Sequence, residues 1–358
     1  MSMVKKSCNL FAFILVLALL PAWKVQAEPG IGVVEDPVTG RYIEEVTKDW
    51  QQGVVYNPQT GDYAVTYKTD DGSFVEVIYV PATKIEPGFK SILEQTKSGT
   101  SVSYRYKLKS GTTSQQNVSA LRTEITSIKT GYPVSPENWV GRVFPNSQNS
   151  ALFLSWVYDF SGQKQSLGGL APGKSVSGFV LESDDLPGVA VMEIKGAARR
   201  TSWLGHIPEI DTPVGTEVNK LKTNDFVPRP AATPKIPNPQ PFDAAAVLTS
   251  LQKHIKEDIV SMKLIDPSFA AQLDRGLQAA IDAAKRGNTA GLKEQLKDLR
   301  HLLKGFGEPE EADHRAKEKD DDTIPEDQVN TKPWPHPISK LAARVIDFDL
   351  KYIEKRAK

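Results

Sequence analysis

The chain has 358 residues, enough for two domains, and carries 44 basic and 44 acidic side chains. That balance argues against a nucleic-acid binder, which concentrates Lys and Arg. The only cysteine, Cys8, precedes the first apolar run, so everything after it lacks disulfides, thiolate metal sites and cysteine nucleophiles.

Residues 1–27 read as an export signal. Lys5 and Lys6 form a basic start, Leu10 to Leu20 is apolar throughout, and Val25-Gln26-Ala27 is a small-residue cleavage site. The apolar run is too short to span a bilayer, which takes about 20 residues. Cleavage would begin the mature chain at Glu28 and remove three lysines with no acid, leaving a net charge of −3. An export signal without disulfides points to a bacterial periplasmic or extracellular protein.

Residues 28–84 read as β-hairpins. Gly32-Val33-Val34-Glu35-Asp36-Pro37 and the following Thr39-Gly40-Arg41-Tyr42 recur 21 residues later, around Asn57-Pro58 and Thr60-Gly61-Asp62-Tyr63. Asp or Asn before Pro, with Gly closing, is turn chemistry between β-branched runs. Phe74 to Val80 continues the series. Residues 85–227 then predict an antiparallel, immunoglobulin-like sandwich. Ser101 to Lys109 alternates strictly, and Val118–Ile128, Ala151–Asp159, Ser175–Glu182 and Val189–Lys195 are further strands.

Gly168 to Ser175 matches the phosphate-loop pattern GxxxxGK[ST], but that loop needs a helix after it. Val176 to Leu181 alternates like a strand, so the segment reads as a strand-to-strand corner. Asp184-Asp185 reads as a polar turn, since adjacent strand residues face opposite ways and cannot pair over one substrate. No nucleophile elbow and no HExxH occurs, and the five histidines lack metal-ligand spacing. The expectation is a chain without catalysis. Tyr132, Trp139 and Trp203 lie in Gly- and Pro-bearing stretches, and loop aromatics of this kind can anchor a glycan or a protein. They are the ligand-binding candidates.

Pro228 to Pro241 holds six prolines in fourteen residues and predicts an extended linker between separately folding halves. Helices follow in 242–358. Asp243 caps a face of Val247, Leu248, Leu251, Ile255 and Ile259. Asp266-Pro267 starts a second helix that Gly287 stops, and Asn288 caps a third that Gly305 stops. Ile338, Leu341, Val345, Phe348 and Tyr352 mark a closing helix. Between them, 307–337 is a polar insertion predicted to be disordered, with ten acids against four Lys or Arg between 308 and 336. Within it, Asp320, Asp322 and Glu326 are calcium-ligand candidates, and Pro325 excludes an EF-hand.

The apolar spacing from Val247 to Leu303, with Arg286-Gly287-Asn288 between helices and Leu341 to Tyr352 at the end, resembles the FIMAH-type helical domain of extracellular bacterial proteins. The insertion before the closing helix departs from that pattern. The resemblance implies an accessory module, without catalysis of its own, in proteins that are often hydrolases. The combined expectation is an exported, non-catalytic binding or structural protein whose partner is an envelope or extracellular protein or polysaccharide. The alternatives are an extracellular hydrolase or its accessory subunit, motivated by the helical module, and a calcium-dependent surface or matrix protein, motivated by the acidic insertion.

Overall fold

The computed structural model describes residues 30–35, 42–48, 52–97, 99–129, 133–145, 151–159, 168–198, 201, 203–204, 208–306 and 336–357. The expected export signal, Tyr132, Asp320, Asp322 and Glu326 lie outside them.

Both expected hairpins pair as antiparallel strands. β1 (Gly30–Glu35) pairs with β2 (Tyr42–Lys48), and β3 (Gly53–Asn57) with β4 (Asp62–Lys68), which pairs in turn with β5 (Phe74–Tyr79). One face of the β3–β4–β5 sheet buries Val65, Tyr67, Val77 and Tyr79 against Val214 and Val218. Those two valines belong to α1 (Pro213–Thr223), capped by Thr212, a helix that the sequence pattern does not announce. The hairpin region is therefore completed by residues far along the chain.

Eight strands make an antiparallel sandwich. β6 (Pro87–Gln95), β7 (Val102–Ser110) and β11 (Ser175–Ser183) form one sheet in the order β11-β7-β6. The other sheet has β8 (Val118–Ile125), β9 (Trp139–Pro145), β10 (Leu152–Tyr158), β12 (Leu186–Gly196) and β13 (Val227–Ile236), in the order β13-β12-β8-β10-β9. The first, second and sixth strands facing the third, seventh and eighth is the A-B-E against C-F-G arrangement of an immunoglobulin-like sandwich, with β9 and β10 added beside the third strand. Between the sheets an aromatic chain runs from Phe89 to Tyr106 (5.4 Å), Trp156 (5.6 Å), Phe179 (5.4 Å) and Trp139 (5.1 Å).

The proline run is not a linker. Its first nine residues are most of β13, paired to β12. Pro228, Pro230 and Pro234 stand opposite Glu193, Val191 and Pro187, in the same alternate set as Ala232 opposite Val189. At that last pair neither amide enters the ladder. Ala232 N–H donates to Ser91 Oγ (3.1 Å) and Val189 N–H to His254 Nε2 (2.8 Å). The prolines thus occupy positions whose missing N–H would point away from β12, which is where an edge strand tolerates them.

The helices follow their caps. α2 (Ala244–His254) runs on through a π-helical turn at Ile255–Ile259, α3 is Pro267–Lys285, α4 is Thr289–Leu303 and α5 is Lys340–Arg356. Asp243, Asp266, Asn288 and Ser339 each accept a backbone N–H of the first turn. Gly287 stops α3 at φ 67°.

These helices are not a separate body. α5 packs on β12 and β13, while Arg344 donates to the Ser91 carbonyl and Arg356 to the Gly99 carbonyl on the opposite sheet, each at 2.8 Å. One continuous core joins sandwich residues such as Tyr104 and Met192 to Leu341, Val345 and Leu350 of α5. The expected independence of the two halves is overturned, because each half buries apolar surface against the other. Inside this contact Asp349 is fully buried, and neither of its oxygens has a hydrogen-bond partner among the described residues. Burial holds its carboxyl well above the usual carboxylate range.

Two outcomes follow. Leu350→Ala should cost about 2–5 kcal/mol and lower a single unfolding transition followed by both strand and helix signals, and limited proteolysis should spare 228–236. A carboxyl whose folded pKa is raised loses stability as pH climbs from the unfolded value, about 3.9, to the folded one. Asp349→Asn should therefore melt higher than the parent at pH 8 and alongside it near pH 3.5.

Candidate functional site

Strand alternation decides what β9 presents. Trp139 points inward, is 7% exposed, and meets Phe179 (5.1 Å) and Tyr158 (5.7 Å) edge-on. Its neighbours face the other way. Val140, Phe144 and, on β10, Val157 are 37%, 40% and 42% exposed. Register places Val140 opposite Val157, Arg142 opposite Ser155 and Phe144 opposite Phe153. Next to them on β8 stand Ala120, Arg122 and Glu124. Over β9 and β10 the outer face thus carries two apolar pairs separated by a polar one. A one-residue step along β9 moves a side chain from core to this surface.

The surface is held firmly from behind. Trp156 Nε1 donates to the Val134 carbonyl (3.1 Å), passing beneath β9 at Gly141. A Cβ at Gly141 would lie 2.8 Å from that nitrogen and 2.7 Å from Pro133 Cγ, so only glycine fits. On the outer side Arg122 lies over the Phe153 ring (5.0 Å to the centroid) and pairs with Glu193 through Nε (2.7 Å) and Nη2 (2.5 Å). Phe144 and Phe153 are 5.7 Å apart with their planes tilted by 38°. Arg142 is exposed.

The three aromatics chosen from sequence do not form one site. Trp139 is core of the sandwich. Trp203 is half-buried in the other core, against Tyr67 (5.9 Å) with Lys222 over its ring (5.0 Å). Tyr132 lies outside the described residues. Trp139 and Trp203 look alike in sequence because both sit near Gly and Pro. What separates them from the exposed row is the parity of their strand or the presence of α1, which local composition does not report.

Residues 168–174 are a corner: Leu170 pairs with Val118, and Gly173 N–H donates to the Ser110 carbonyl (2.8 Å) before β11 begins. Asp184 accepts from Ser101 (2.7 Å) and Asp185 from Thr126 (2.7 Å), which is turn anchoring. A concavity of about 930 Å³ opens between residues 239–245 and the ends of α3, α4 and α5. Its one lining carboxylate, Asp243, caps α2, and its Arg356 is held over the Tyr352 ring (4.7 Å) and on the Gly99 carbonyl. His254 is similarly engaged, with Nδ1 on Asp258 (2.6 Å). That hydrogen bond holds the Asp258 carboxyl below its usual range. Among the described residues no cluster of three His, Cys, Asp or Glu is placed to hold a metal ion, and no helix is long and apolar enough to cross a membrane.

No protein-family profile matches the sequence, and no curated protein does. Among solved structures, an uncharacterized protein from Nocardia farcinica, described as revealing an immunoglobulin-like fold, is similar at 13% identity and a TM-score of 0.25. The similarity covers 35% of this chain and 88% of that one.

Trp139→Ala should cost about 3–5 kcal/mol of stability, as for a buried aromatic, and Gly141→Ala should also destabilise. Denaturant titration checks both. Trp139→Ala leaving the midpoint unchanged would show that the side chain is not core.

Proposed function

We propose that this is an exported, non-catalytic binding protein of a bacterial envelope or extracellular space, whose sandwich engages a protein partner through the outer face of β9 and β10. The observation that carries this reading is the exposed apolar side chains Val140 and Val157 on one side of exposed Arg142 and Phe144 on the other. A solvated sheet face normally alternates to polar residues, and apolar side chains with Arg and few Lys are what protein interfaces favour. The tilt of Phe144 against Phe153 removes the flat platform that stacking on a sugar ring would use. The signal-like start of the chain supports export. The likeness of Val247 to Leu303 to a FIMAH-type domain supports an accessory role for the helices, which would brace the sandwich.

The test uses the mature chain and envelope material from its own source. Retention on that material should vanish after protease treatment and survive periodate oxidation of sugars. The double variant Val140→Asp, Val157→Asp should lose ~2 kcal/mol or more of binding, roughly thirtyfold, with little change in melting temperature. Retention that resists protease and is lost to periodate would make the ligand a polysaccharide. Retention unchanged in the double variant would remove this face from the function.

A further inference from the structure

The sandwich has four lateral edges, and three of them carry covering contacts or prolines. β13 is sealed by Pro228, Pro230 and Pro234, and its Ala232 N–H is tied to Ser91 on β6, so these two edges close on each other. On β11, Val180 exchanges both backbone hydrogen bonds with Val134, at 3.1 and 2.9 Å. The fourth edge is β9, which pairs with β10 on one side. Among the described residues no strand pairs with its other side.

The pairing shows which groups that edge offers. Asp159 N–H donates to the Asn138 carbonyl (2.7 Å), which makes these two residues a hydrogen-bonded antiparallel pair. Alternation then turns the backbone groups of Val140, Arg142 and Phe144 toward β10, and those of Trp139, Gly141 and Val143 outward. Trp139 N–H is taken up by the Pro136 carbonyl (3.1 Å). Gly141 and Val143 are left presenting N–H and C=O groups two residues apart, the spacing at which an added strand pairs. Natural sheets protect such edges with proline, bulges or cover. Here one end of the same sheet has three prolines, whereas β9 has Pro145 only as its last residue.

We propose that β9 is a docking edge at which an extended segment of the partner protein adds as a sixth strand of this sheet. The proposal rests on the reading of this sheet face as the partner surface and specifies how the partner is held. Main-chain pairing with Gly141 and Val143 supplies the register, and alternate side chains of the segment fall beside Val140, Arg142 and Phe144. The segment that fits is apolar, acidic, apolar at every second position, with its carboxylate next to Arg142.

The test selects a displayed library of random linear nonapeptides against the full mature chain, then uses a synthetic peptide of the recovered sequence. Strand addition predicts an apolar–acidic–apolar alternation and at least tenfold slower amide exchange at Gly141 and Val143 on peptide binding. It also predicts at least tenfold weaker binding to Val143→Pro, which deletes one edge donor, and a preference for basic peptides in Arg142→Glu. If Val143→Pro fails to fold, the exchange measurement decides alone. Exchange at Gly141 and Val143 unaffected by a bound peptide overturns strand addition. If that peptide is nevertheless lost from Phe144→Ser, the sheet-face reading stands without it. Binding indifferent to both Val143→Pro and Phe144→Ser overturns both readings, and a selection that recovers no peptide overturns strand addition.

Discussion

The constraint on which the architecture turns is that a proline in a sheet must lie where no ladder donor is needed. Three prolines on one parity of β13 satisfy it together, because alternation sends all their nitrogens to the same side. That side becomes an edge by necessity. β12 is thereby given a neighbour, and the sandwich is closed toward β6 by the Ala232–Ser91 hydrogen bond. The chain leaves β13 already positioned beside the sandwich, through Asn238, whose side-chain amide donates to the Asp184 carbonyl (3.0 Å) and to Tyr352 of α5 (2.8 Å).

The helices then have one place to go. α5 lies against β12 and β13 and reaches β6 through Arg344, so its apolar face completes the sandwich core. His254 on α2 accepts the Val189 N–H that has no partner on β13, and Asp258 fixes the imidazole from the far side. Asp349 is the exception in this contact. A fully buried carboxyl without a hydrogen-bond partner among the described residues costs stability when ionised.

β9 and the face beside it keep Val140, Phe144 and Val157 exposed and, among the described residues, a strand edge that no other strand pairs. The rigidity of that region comes from inside: Gly141 lets Trp156 cross under β9, and Trp139 locks the start of the strand into the aromatic chain. A firm edge costs less ordering on association than a loose one.

Much of this was legible in the sequence. Turn residues at Asn57-Pro58 and Thr60-Gly61 marked a hairpin, strict alternation marked β7, and Asp243, Asp266 and Asn288 marked helix starts, because each of these signals is local. The sandwich class followed from the series of short strands. The missing helix after a GxxxxGKS match was enough to read a corner. What depended on distant partners was not legible. Proline density in 228–241 is the same for a free spacer and for an edge strand, and only β12 alongside decides. α1 is short and weakly apolar, and it is recognisable only by the hairpin sheet it covers. Trp139 and Phe144 share a strand, yet which faces the core depends on where the opposite sheet lies. Local elements and their caps can be read from the chain because backbone preferences act over a few residues. Which edges are covered and which face stays open depends on packing from distant parts of the chain, because that packing sets burial.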